Sequence, residues 1–386
     1  MRSNWIARKL ADIADITMGQ SPKSEFYNSN KVGMPFLQGN RTFGHRYPVF
    51  DTYTTNPTKI AKAGDVIMSV RAPVGDLNFT PVDMCLGRGV CGIRMKNGNQ
   101  DFLFYLLKFL MPQLVNKESG TVFGSVNRND IEKLDVCIPE DENEQKTISR
   151  YLAMLDEKIT NNEEINDNLL QQAQAIFKHT FKDNASTTPA TIADIALNVT
   201  DGVHNTIKDD PEGQYLLLSC KNIKGGSLNI GPSERRINSE TFEKLRRRTK
   251  LAKGDILISS VGTVGELLML NTDPTNYEFQ RSVAIVKPDP KIVSSAYVYE
   301  SLVSKKTELI NVAHGAVQQC LFISDIAGFP IGIPRHETLR SFDEIVTPMF
   351  DTISANEAEN TRLESLRNAL LPRLMSGELD VSDVVL

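Results

Sequence analysis

A hydrophobic seam that occurs twice constrains this chain more than any other feature. Leu152, Leu155, Ile159, Asn162, Asn166, Leu169, Ala173, Ile176 and Thr180 follow one another at alternating steps of three and four. That is the spacing of a coiled-coil seam. The same steps recur 194 residues further on, through Val346, Met349, Ile353, Asn356, Asn360, Leu363, Arg367, Leu370 and Leu374. Both Asn positions coincide, and Arg367 is the one charged lapse. Two such helices most simply bury their seams against each other. An antiparallel pair would bring Asn162 and Asn166 opposite Asn356 and Asn360. Buried amides on a seam lower stability but set register, because slippage leaves one unpaired. The plain alternative is two amphipathic helices packed on separate domains, with their Asn side chains in water.

The repeat extends beyond the helices. LADIA at 10–14 returns as IADIA at 192–196, and GDVIMSV at 64–70 as GDILISS at 254–260. APVG and GTVG follow. Arg88 in GRGV matches Arg281 in QRSV. Gly120, Asp130 and Ile131 match Gly315, Asp325 and Ile326, and IPE at 138 matches IPR at 333. The chain is therefore a duplicated unit of roughly 190 residues, a globular head followed by a long helix. Both heads read as α+β with short strands. Gly64-Asp65 and Gly254-Asp255 are tight turns that deliver buried strands. Phe102–Leu114 and Tyr297–Leu309 have the spacing of covering helices, Ile131–Ile138 reads as a last strand, and DNASTTP at 183–189 reads as a linker.

With 386 residues the chain has length for two or three domains. Its opening, MRSNWIARKL, lacks the apolar run of a signal peptide, and no segment approaches bilayer-spanning length. Five cysteines, an odd count without CxxC spacing, read as thiols of a reducing cytoplasm. The net charge of −5 argues against indiscriminate nucleic-acid binding. Acidic residues nevertheless cluster around the first long helix and leave basic and amide side chains in local excess elsewhere, so DNA is not excluded.

Reaction chemistry finds little support. There is no GxxxxGK[ST] and no GxGxxG after a strand. Asp273-Pro274-Thr275-Asn276-Tyr277 is closer to a plain Asp-Pro turn than to a methyltransferase loop. The histidines show no metal-ligand pairing. Asp156-Glu157-Lys158 has the residue types of a metal nuclease but lies on the predicted helix, where it reads as a solvated face. Two similar heads on a helical spacer instead suit a long periodic partner such as duplex DNA.

At this point LADIADITMGQSP with TIADIALNVTDG, GDVIMSVRAPVG with GDILISSVGTVG, IPEDENEQKTISRYLAMLDEKI, and NTRLESLRNALLPRLMSGEL resemble the specificity (S) subunit of type I restriction-modification systems. The likeness covers essentially the whole chain. IPRHETLRSFDE at 333–344 departs from the usual proline, acid and glutamine run. The resemblance implies target-recognition domains at 1–141 and 183–337, separated by long antiparallel coiled-coil helices at 142–182 and 338–376, with a tail at 377–386 and pseudo-two-fold symmetry. It implies a non-catalytic subunit that reads a bipartite asymmetric DNA target and docks two methyltransferase subunits and restriction subunits. S-adenosylmethionine, ATP and Mg would belong to those partners.

Candidate DNA contacts are residues able to reach base edges or phosphates. In the first head they are Gln20, Gln38, Asn40, Arg41, Arg71, Arg88, Asn127 and Arg128. In the second they are His204, Asn205, Lys221, Asn222, Arg246, Arg247, Arg248, Arg281, Gln318 and Gln319. Ser69, Gly75, Ser260 and Gly265 would permit close backbone approach or serve tight turns. Two rivals stay open: a stand-alone methyltransferase or nuclease with built-in recognition, and a scaffold whose heads bind proteins.

Overall fold

Glycine at positive φ opens both central strands of this molecule, at Gly64 (φ 84°) and Gly254 (φ 86°). The following aspartates close the turns. Asp65 accepts from the Lys62 amide at 2.7 Å and pairs with Arg94, while Asp255 accepts from the Ala252 amide at 2.9 Å and pairs with Lys287. The repeated Gly-Asp thus joins a turn to a neighbouring strand. The computed structural model describes residues 4–44, 46–116, 124–181, 187–231, 234–315 and 319–381. The chain divides into two units, 1–161 with 359–386, and 162–358.

In the first unit a four-stranded antiparallel sheet runs in the order Ala14–Met18, Val90–Met95, Val66–Ser69, Leu77–Phe79. Val66–Ser69 is buried throughout, as its unbroken apolar run requires. The helix Gln100–Asn116 covers this sheet. Phe102 to Leu107 are all buried, because the sheet packs on one side and Ile148, Leu152 and Ala153 of the first long helix on another. A second sheet has five short strands and a smaller core around Leu37, Met84 and Leu86. A ribbon pairs Trp5–Lys9 with Asp135–Pro139.

The second unit repeats the main sheet in the same order: Ala196–Asp201, Val283–Pro288, Ile256–Ser259, Leu267–Met269. The helix Ser295–Ser304 covers it. Its smaller sheet differs, with strands Arg235–Ile237, Tyr215–Leu218 and Tyr277–Phe279 and an added helix, Ser239–Thr249. The protein is thus a mixed helix-and-sheet molecule, and the duplicated landmarks are duplicated structure.

The long helices span Glu142–Thr180 and His336–Met375. Within the first unit Asp156 meets Arg367 and Lys158 meets Glu359. Within the second, Asn356 Nδ2 donates to Asn166 Oδ1 at 2.8 Å, and the Phe177 and Phe342 rings lie 6.0 Å apart. Partner numbers fall as positions rise, so in each unit the two segments run antiparallel. Asn162, in the second unit, is 1% exposed.

Three readings need correction. Asp156 is not on a solvated face: it is 3% exposed, and Arg367 is its buried cation rather than a lapse in the seam. Thr187, Thr188 and Pro189 are not linker but part of the strand Thr187–Thr191, paired with Pro330–Pro334. β-branched threonine favours the extended form, and a two-stranded ribbon tolerates proline at its edge. Ile131 belongs to the short helix Arg128–Glu132, and the last strand begins at Asp135. Ser69 and Ser259, equivalent in the repeat, play the same part in the two units. Each accepts from the backbone amide seven residues on, Glu266 at 2.7 Å and Asp76 at 2.9 Å, and so orders its loop.

Candidate nucleic-acid interface

Three chain segments meet at one end of the first unit's main sheet. The Gln20 amide donates to Leu86 O at 2.9 Å, Gly87 to Leu37 O at 2.7 Å, and Gly89 to Gln38 O at 3.0 Å. A Cβ on Gly89 would lie 2.4 Å from Gln38 O, and one on Gly19 2.0 Å from Gly87 O. Only glycine lets the backbones approach so closely. The junction brings Gln20, Gln38 and Arg88 together, and with Asn40 and Arg41 they line an open cleft of about 970 Å³.

Inside the cleft, Ser21 Oγ donates to Gln38 Oε1 and accepts from the Arg88 amide, both at 3.1 Å. Asn40 donates to Asp76, and Arg41 pairs with Asp51. Arg41 and Thr52 hold the Asp51 carboxyl below the usual carboxylate range. Arg88 is exposed and carries no ion pair among the described residues. Tyr27 and Phe36, with ring centroids 4.7 Å apart, add an aromatic wall. The sequence reading missed both rings and Ser21. A serine and two isolated aromatics in short segments carry no sequence signal of a shared cleft.

The other three first-head candidates lie outside this cleft. Arg71 is exposed and bridges to Ser125 through the backbone. Asn127 caps the helix Arg128–Glu132, its side chain accepting from the Asp130 amide at 3.1 Å. Arg128 pairs with Glu132 at 2.6 Å.

The second unit repeats the junction with different side chains. The Val203 amide donates to Phe279 O at 2.9 Å and Gln280 to Leu218 O at 2.8 Å, and a Cβ on Gly202 would meet Phe279 O at 2.1 Å. His204, Asn205, Lys221 and Arg281 are exposed on the junction's segments. His204 contacts Asp201 at 2.6 Å. Arg248 clamps the same turn, donating to Asp201 Oδ1 at 2.8 Å and Gly202 O at 3.0 Å. Lys221 pairs with Glu234 at 3.0 Å; burial works against the Glu234 charge, yet Lys221 and Asn222 hold its carboxyl below the usual range.

Two second-head candidates hold the fold. Arg246 lies over the Phe242 ring, pairs with the buried Glu278, and donates to Pro274 O at 2.7 Å and Tyr277 O at 3.0 Å. Asn222 is 1% exposed, its Oδ1 accepting from the Ser219 amide and its Nδ2 donating to Asn229 O. Arg247 and Gln319 are exposed, and Gln318 lies outside the described residues. The spacing of Phe242, Leu245 and Thr249, all buried, is the sequence signal that would have placed Arg246 on a packed helix. Among the described residues no His, Cys, Asp and Glu cluster could hold a metal ion, and no helix is long and apolar enough to cross a membrane.

Residues 2–171 match the model of the type I restriction modification DNA specificity domain. A type I restriction enzyme specificity subunit of Methanocaldococcus jannaschii is 23% identical across 99% of this chain and 95% of its own length. The crystal structure of the type I restriction-modification S subunit from M. genitalium has the same fold, with a TM-score of 0.57 at 15% identity over 96% of each chain. The chain is similar to type I restriction enzyme specificity subunits along essentially its whole length. A further M. jannaschii protein assigned to type I specificity subunits is 41% identical over 146 residues, 37% of this chain, which spans about a third (34%) of that relative's length. The junction of the first head falls within the matched residues 2–171.

Proposed function

We propose that this chain is the DNA-reading subunit of a type I restriction-modification complex, that it carries no reaction chemistry, and that its two heads read the two parts of an asymmetric target. The observation that carries this is the duplicated glycine junction, which presents Gln20, Gln38 and Arg88 in one head and His204, Lys221 and Arg281 in the other. Same scaffold with different side chains is what two unlike half-sites require. Arginine pairs with guanine and glutamine or asparagine with adenine in the major groove, while lysine and the remaining arginines position phosphates. Residues 1–141 and 183–337 serve as target-recognition domains.

The antiparallel helices act as a coiled-coil spacer, with the Asn pairs setting its register. A helix of 39 residues is long enough, at ~1.5 Å per residue, to span more than one duplex turn of ~34 Å. Two methyltransferase subunits dock on the chain in the cytoplasm and bring S-adenosylmethionine. In a restricting complex further subunits bring ATP and Mg.

The test is to map methylated adenines in the host and then exchange residues 1–140 for another head. One half of the target is expected to change while the other persists. Cleavage or methyl transfer by the lone chain with DNA, magnesium and S-adenosylmethionine would overturn the reading.

A further inference from the structure

Phe322 is 54% exposed, although it is a large apolar side chain. It occupies the first position before the helix Ile323–Ala327 and gives that helix no side-chain cap. The repeat places Asn127 at the equivalent position of the first unit, ahead of Asp130 and Ile131 as Phe322 is ahead of Asp325 and Ile326. There the asparagine caps its helix. A capping residue stabilises a helix start, and exposed phenylalanine gains nothing from water. The second head therefore forgoes a local stabilisation at this point and presents an aromatic ring instead.

The ring is held outward. His314 packs against it with centroids 5.3 Å apart and planes at 31°. Asp325 ties the two together, accepting from the Phe322 amide at 2.9 Å and lying 3.4 Å from His314 Nε2. The location is the loop end of the main sheet. The Leu321 amide donates to Ser260 O at 2.8 Å, and Ser260 Oγ donates to Arg281 O at 3.3 Å. The aromatic pair thus adjoins the segment that carries the exposed Arg281.

We propose that Phe322 is an apolar wedge that enters the second half-site at a base step and partly unstacks it, backed by His314. The proposal rests on the DNA-reading function above. A ring backed by an imidazole, on a loop joined to the segment that carries the exposed Arg281, fits stacked bases inside an anionic duplex, and wedges of this kind make binding depend on how easily the step deforms.

The experiment uses the full chain assembled with its methyltransferase subunits, on the mapped duplex carrying 2-aminopurine at successive positions of the second half. The wild-type complex is expected to raise the probe's fluorescence at one step. Phe322→Asn, which restores the cap that Asn127 provides, and Phe322→Ala are both expected to abolish that rise and to weaken DNA binding about tenfold. Target choice in the first half is expected to stay unchanged. Weaker binding with the fluorescence rise intact, or no change in either, overturns the wedge. So does a loss confined to assembly with the methyltransferase subunits, which would make Phe322 a protein contact. A wild-type complex without sequence preference would instead remove the DNA-reading function itself.

Discussion

Arg367 Nη1 donates to Asp156 Oδ1 at 2.5 Å, and the Tyr105 hydroxyl donates to Oδ2 of the same carboxylate at 2.7 Å, all three residues being buried in the first unit. In the second unit the repeat-related positions hold Ala173, Phe350 and Glu300. One end of the repeat is therefore keyed by a polar triad, and its counterpart is mostly apolar.

Removing Arg367 strands a buried charge. Arg367→Met is expected to destabilise the first unit by roughly 3–5 kcal/mol, whereas the triple change Asp156→Leu, Arg367→Met, Tyr105→Phe is expected to be close to neutral. Urea unfolding measures both. Equal losses would show that packing, not charge pairing, matters there. Burial works against the Asp156 charge, yet Arg367 and Lys108 hold its carboxyl below the usual range. Its contribution is present above the unfolded-state value of about 3.9 and is lost as pH falls through the lower folded value.

Glu300 has the opposite sign. Burial pushes its carboxyl up to about 8, so the folded chain keeps a proton that the unfolded chain releases near pH ~4.3. Its contribution to the stability of the second unit is then fully present below about pH 4 and shrinks by about 1 kcal/mol per pH unit as pH rises towards 8. Glu300→Gln is expected to flatten this slope. Denaturant midpoints between pH 5 and 8 decide it, and parallel curves for the two proteins would reject it.

Gly89→Ala would place a methyl group 2.4 Å from Gln38 O. The junction must open, displacing Gln38 and Arg88 from each other while the main core stays intact. Methylation mapping is expected to show relaxed choice in one half of the target only. Arg88→Ala, which leaves the backbone alone, is expected to cost about 1–3 kcal/mol of discrimination at a single base position.

Inserting about one helical turn into both long helices near Asn162 and Asn356 is expected to lengthen the spacer between target halves and leave both halves unchanged. An unchanged spacer would refute the helices as a measure of distance.

Much of this was legible in the residues. The 194-residue offset exposed the repeated long helices and the recurring short motifs exposed the duplicated heads, because apolar periodicity and glycine turns are local signals. Gln20, Gln38, Asn40, Arg41 and Arg88 were chosen as loop-tip polar residues, and the cleft joins them. What stayed hidden depends on long-range partners. Arg367 looks like a defect in a seam until Asp156 faces it. Arg246 and Arg248 look like free cations until Glu278 and Asp201 engage them. Thr187 looks like linker until it finds Pro334 across the ribbon.

The division of the chain also sets an order of synthesis. Residues 162–358 are contiguous, so the second unit has all its parts before residues 359–386 are made. The first unit begins earlier but waits for 359–386, whose Leu371, Leu374 and Met375 share a core with Trp5 and Leu10. On the ribosome the head made first is therefore the one sealed last.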